Sequence, residues 1–188
     1  RTLLLNSGAA ASLGASLTVS NSIGLNGGCL SLVNYNLNLG ADTTCGGGSA
    51  SSYIITNGSG SLVKAFNSTG TFQFEIGSSN AYSPITVSFS SISNAGIVSA
   101  RVAAAKESNI SADNYVNRYW TVSSNISSFS ATVTAAYVSA DVVGKESHMS
   151  AEKYSNGFWT DFGIVNKFAH SFSGTVTSFS NFTAWGNT

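Results

Sequence analysis

Charge is what this chain has least of. Lys, Arg, Asp and Glu make up 9% of its 188 residues, against about 25% in an average soluble domain. Eight basic and eight acidic side chains cancel. A neutral chain has no field to hold nucleic acid or an anionic membrane surface, so neither is expected as a partner. Proline is nearly absent; Pro84 stands alone. No run of eighteen apolar residues occurs, so no membrane span is expected. No basic stretch leads into an apolar one, and any secretory leader is expected to have been removed already.

Residues with metal-binding or nucleophilic chemistry are just as scarce. His148 and His170 are the only histidines, and neither lies at a ligand spacing from a cysteine. No metal site and no cofactor are expected. Both histidines read as loop residues. Serine is so common that no Ser-His-Asp pattern stands out, and no nucleophile-elbow motif occurs. Cys29 and Cys45 both sit among glycines. One disulfide between them is expected, worth roughly 3 kcal/mol in the chain-entropy model, with two buried free thiols as the rival reading.

Small polar residues take the place of charge. Serine alone appears 35 times. Yet 43% of residues are hydrophobic and 11% aromatic, too apolar for disorder. A chain of this length can bury roughly 70% of its unfolded surface.

The chain also repeats itself. AKESNISADNYVNRYW at 105–120 recurs as GKESHMSAEKYSNGFW at 144–159, with eight of sixteen positions identical. SFSATVT at 128–134 recurs as SFSGTVT at 171–177. One supersecondary unit used twice is expected, covering about 98–134 and 137–177. Repeated units usually build a scaffold. Asp113 and Glu152 occupy equivalent positions, which suits equivalent surface turns better than a glycosidase pair across a cleft. The repeated Lys106-Glu107 and Lys145-Glu146 read as solvated turns, with intersubunit ion pairs as the rival. Trp120 and Trp159 close alternating strands and read as core. A sugar-binding face including Trp185 is the rival reading.

Residues 1–50 have their own texture. Apolar pairs recur as Leu3–Leu5, Leu17/Val19, Ile23/Leu25, Leu30/Leu32 and Leu37/Leu39. They alternate in and out, which is strand periodicity, about six to seven residues apart. A small solenoid or a compact meander fits. Asn57-Gly58 between two apolar runs predicts a hairpin. Twelve to fourteen short strands fit in all. The fold expected is all-β: a short-strand section over 1–50, then an antiparallel β-sandwich over 51–188 containing the duplicated unit.

Several stretches resemble a region found in large secreted surface proteins of Bacteroidota. They are GGCLSLVNYNLNLGADTT, SSYIITNGSGSLVKAF, TFQFEIGSSNAYSPITV, RYWTV and GTVTSFSNFTAWGN. The resemblance spans about 27–186 and its motifs are structural. It implies export by type IX secretion, with the sorting domain absent here, and no shared catalytic residue. In that setting Asp42-Thr43-Thr44 fits a short O-glycosylation sequon, which makes Thr43 a candidate.

The function expected is a non-catalytic extracellular structural protein that self-assembles into a surface fibre. The alternative is an adhesin or carbohydrate-binding module, with surface glycans as partner. A glycan-active accessory domain is the third. Both ends are apolar and strand-like, TLLL at 2–5 and FTAW at 182–185. Leu3, Leu4, Leu5, Phe182 and Trp185 are therefore the candidates for head-to-tail strand contacts.

Overall fold

The computed structural model describes residues 1–187. The chain is all-β, and its first third winds into stacked coils. β1 (Thr2–Asn6), β2 (Ala10–Ser12) and β3 (Leu17–Val19) form one coil. β4 (Ser22–Asn26), β5 (Cys29–Ser31) and β6 (Leu37–Leu39) form the next. β7 (Thr44–Gly46), β8 (Ile54–Ile55) and β9 (Leu62–Phe66) form the third. Each strand pairs in parallel with its counterpart one coil on, as Leu5 with Leu25, Leu30 with Ile54 and Leu37 with Leu62. Three ladders therefore run along the stack, β1–β4–β7, β2–β5–β8 and β3–β6–β9, which is the arrangement of a β-solenoid. Thr2 stands opposite Ser22 and Ser22 opposite Thr44. The six-to-seven-residue spacing of apolar pairs is thus the step from one face to the next. Alternation sends Leu5, Ile23, Leu25, Leu30, Leu37 and Leu39 inward to be buried.

Asn57-Gly58 makes no hairpin. β8 and β9 lie on different ladders, so the dipeptide turns a solenoid corner. A Cβ on Gly58 would stand 2.1 Å from the Val33 carbonyl, and one on Gly60 would stand 2.2 Å from that of Tyr35. These glycines let one coil's corner rest on the corner below it.

β10 (Gly70–Phe74) and β11 (Ile76–Ser78) start a fourth coil. β11 pairs in parallel with β8, but β10 pairs antiparallel with a later strand. The first ladder ends at β7. The rest is antiparallel: β12 (Ala81–Tyr82), β13 (Ile85–Ile92), β14 (Gly96–Ala103), β15 (Asn114–Val116), β16 (Tyr119–Ser124), β17 (Phe129–Ala136), β18 (Val142–Val143), β19 (Ser150–Ser155), β20 (Phe158–Asn166), β21 (Ser171–Val176) and β22 (Asn181–Gly186). From β9 the order runs β14, β16, β22, β19, β20, β21, β17, β13, β10. One hydrogen-bonded path thus continues the third ladder, with no break near residue 50. Its two arms meet through aromatic rings. Phe66 on β9 reaches Phe89 on β13 at 5.0 Å, and Trp120 on β16 reaches Phe172 on β21 at 5.3 Å.

The sequence repeat yields similar strands with different neighbours. β20 pairs with β21. The corresponding β16 and β17 do not pair with each other; β16 lies between β14 and β22, and β17 between β13 and β21.

Candidate functional site: an open coil edge

β1 pairs only with β4, β2 only with β5 and β3 only with β6. The first coil therefore presents three unpaired strand edges at one end of the stack. Leu5 points into the core, whereas Leu4 points out and is 58% exposed. It lies across Gly24, where an added Cβ would stand 2.8 Å from the Leu4 Cδ2. The β1–β4–β7 ladder is open at its other end too, because β10 has left it. A groove of about 390 Å³ runs beside β7, lined by residues that include Cys45, Lys64, Phe66 and Phe72.

The carboxyl-terminal half of the expected assembly contact is corrected by the structure. β22 is hydrogen-bonded on both sides, to β16 and β15 on one and β19 on the other. Phe182 is fully buried, with the Phe162 ring at 5.2 Å. Trp185 is half-buried against Trp159 at 5.5 Å. A central strand with both edges used cannot pair with another chain.

The expected disulfide is not formed: Cys29 stands on β5 and Cys45 on β7, on different faces, and both thiols are free. Burial, with the nearby Glu75 carboxylate, pushes the Cys45 thiol up to about 12. Thr43 is buried and its hydroxyl donates to the Val19 carbonyl at 3.2 Å. A glycan on Thr43 would need that oxygen free and a path to solvent.

The tryptophans divide. Trp120 is core, its indole N–H donating to the Ser83 carbonyl at 2.9 Å. Trp159 is half-buried beneath the first repeat's loop, donating to the Asn109 carbonyl at 3.2 Å. The Lys-Glu turns are not simply solvated either. Glu107 is buried and accepts from Asn109 and Asn181. Glu146 accepts the Tyr137 hydroxyl at 2.6 Å and faces His170 Nδ1 at 3.1 Å. Of the equivalent acids Asp113 and Glu152, the first is exposed and the second buried.

Tyr137, Glu146 and His170 have the outline of a relay, but both partners converge on one oxygen of Glu146. The tyrosine proton is held there, and burial beside that carboxylate raises the Tyr137 hydroxyl well above its ordinary range. No serine joins them. Among the described residues no three His, Cys, Asp or Glu are grouped to hold a metal, and no helix is long and apolar enough to cross a membrane.

No family model, curated protein or solved structure matches this chain.

Two buried cations were not anticipated from the sequence. Arg118, fully buried, makes a two-pronged contact with Asp141, Nε to Oδ2 at 2.7 Å and Nη2 to Oδ1 at 3.0 Å, and donates to Ser78 at 2.8 Å. It fastens the fourth coil to the β15–β16 corner and to the 3-10 turn at Ser139–Asp141. Lys64 points into the coil stack, its ammonium donating to the carbonyls of Gly40, Ala41 and Thr43. The only signal in sequence was a charged residue at an inward position of an otherwise alternating strand.

Proposed function

We propose that this chain is a non-catalytic, exported structural protein that assembles through its solenoid edges. The observation that carries this reading is the β1–β4–β7 ladder, free at both ends. A second copy that sets its β1 beside the first copy's β7 continues that ladder in the same direction. Such a contact uses two different surfaces and does not close, so repetition gives a filament. Near-zero net charge leaves little repulsion between copies. Export rests on the Ser/Thr/Asn-rich cover and on the resemblance to type IX secretion substrates. The polar clusters support a non-catalytic role, since the carboxylates of Glu107, Glu146 and Asp141 are occupied by donors that hold the fold.

Analytical ultracentrifugation and negative-stain electron microscopy test this. The native chain should associate with rising concentration, and Leu4→Lys should stay monomeric, because a charge on an edge strand blocks pairing. A native chain that is monodisperse at high concentration would remove the assembly reading. An adhesin or carbohydrate-binding module is the second reading, and the groove described next favours it.

A further inference from the structure

Of the eight Lys and Arg side chains, four are engaged by the fold, and Arg1, Lys145 and Lys167 are exposed. Arg118 is paired and Lys64 is caged by carbonyls. Lys106 donates to the Ala112 carbonyl and lies over the Tyr115 ring at 4.2 Å, and Lys153 donates to Ser178. Arg101 is different. It sits half-buried on the outer face of β14, and among the described residues its guanidinium meets no carboxylate and no hydrogen-bond acceptor. It lines a groove of about 370 Å³ where the corners of the third and fourth coils meet β14 and β16.

The groove is furnished for a ligand of one kind. Tyr119 and Thr121 stand across the ladder from Ala103 and Arg101, on the same outer face. Tyr119 is half-buried and lines the groove, and among the described residues its ring belongs to no aromatic pair. Asn57 accepts from Ser31 through Oδ1, which leaves its amide N–H groups to donate. Ser79 adds a hydroxyl, and the small side chain of Ala103 leaves the floor open. A guanidinium grips a carboxylate through two parallel N–H bonds. An aromatic ring beside it suits the apolar face of a sugar ring, and the Asn57 amide and Ser79 hydroxyl suit its hydroxyl groups. A single uncompensated cation matches one negative charge better than the two of a phosphate.

We propose that this groove binds a saccharide bearing a carboxylate, a uronic-acid-type unit, with Arg101 on the carboxylate and Tyr119 against the ring. It is complete in one copy and does not depend on assembly.

The test is amide chemical-shift titration of the full chain with glucuronic acid, glucose, acetate and inorganic phosphate in parallel. Glucuronic acid should shift amides at 101–105, 119–121 and Ser79. Glucose, acetate and phosphate should each bind at least ~tenfold more weakly, since each lacks one of the two recognised features or carries the wrong charge. Arg101→Gln and Tyr119→Ala should each weaken glucuronic acid by about tenfold or more. Both side chains face outward, so the rest of the spectrum should be unchanged and a folding defect would be visible. The proposal is overturned if glucuronic acid shifts nothing or shifts residues elsewhere. Equal affinity for acetate, or Arg101→Gln binding as the native chain does, would also overturn it.

Discussion

Arg118 shows what a buried charge requires. Its guanidinium is answered by Asp141 and Ser78, and removing one partner leaves a charge with neither water nor a counter-ion. Asp141→Asn keeps the shape and removes the charge, and should cost about 3–5 kcal/mol in urea unfolding. Replacing both, as Arg118→Met with Asp141→Leu, should recover most of that loss. Cys45 gives a second check. Its thiolate is suppressed by burial and by Glu75, so at pH 8 it should label with a maleimide far more slowly than Cys29. Equal rates would show that the third coil is more open than described. Glu152 adds a pH dependence. Burial raises its carboxyl, Ser150 lowers it and Asp161 raises it further. The folded state therefore keeps that proton to higher pH than the unfolded chain does. Its contribution is fully present below the ordinary carboxylate range and fades as pH climbs through the raised value. Glu152→Gln should raise Tm at pH 7 and make little difference near pH 4.

At the scale of elements, two Asn-Gly dipeptides met opposite fates. Asn156-Gly157, with φ of 53° and 86°, closes the β19–β20 hairpin. Asn57-Gly58 turns a solenoid corner instead. An Asn-Gly pair suits a tight turn in both places, but only Asn57-Gly58 was read as one, and which strands pair across it depends on neighbours that no local pattern reveals. The Leu-x-Leu steps were legible as short strands for a plain reason: one side of each faces a core. The coil length was not, because the step varies: Thr2 to Ser22 is 20 residues, while Leu37 to Leu62 is 25. TFQFEI, one strand by alternation, is split at Glu75 into β10 and β11, since a corner falls there. The long repeat was visible and misled about pairing. The position of Arg118 in its second copy is Gly157, and the clamp exists once. The two glycines at these turns should respond differently to alanine. Gly157→Ala meets no neighbour within 4 Å and carries only the cost of positive φ, about 1 kcal/mol. Gly58→Ala must push the Val33 carbonyl aside and should cost roughly 2 kcal/mol or more. Chemical denaturation of the pair decides whether coil stacking is as close as described.

Across the whole molecule, strand neighbours are distributed unevenly. β1, β2 and β3 each have one partner, while the strands from β14 to β13 along the main path have two. Amide exchange should follow this gradient: fastest in the first coil, slower in the second and third, slowest in β13, β17 and β22, because opening an edge strand disturbs few buried contacts. Assembly should change this pattern in one place. If copies stack by continuing the first ladder, amides of β1 and β7 that face solvent in the free chain become ladder donors. Residues Thr2–Asn6 and Thr44–Gly46 should then gain protection together in the assembled material, while β22, already paired on both sides, should not change. Hydrogen exchange followed by mass spectrometry on monomer and assembly reads this directly. Protection gained by β1 without β7 would indicate a two-fold edge-to-edge dimer rather than a filament. Protection gained at neither would mean that copies meet through some other surface, and the open ladder would lose its role.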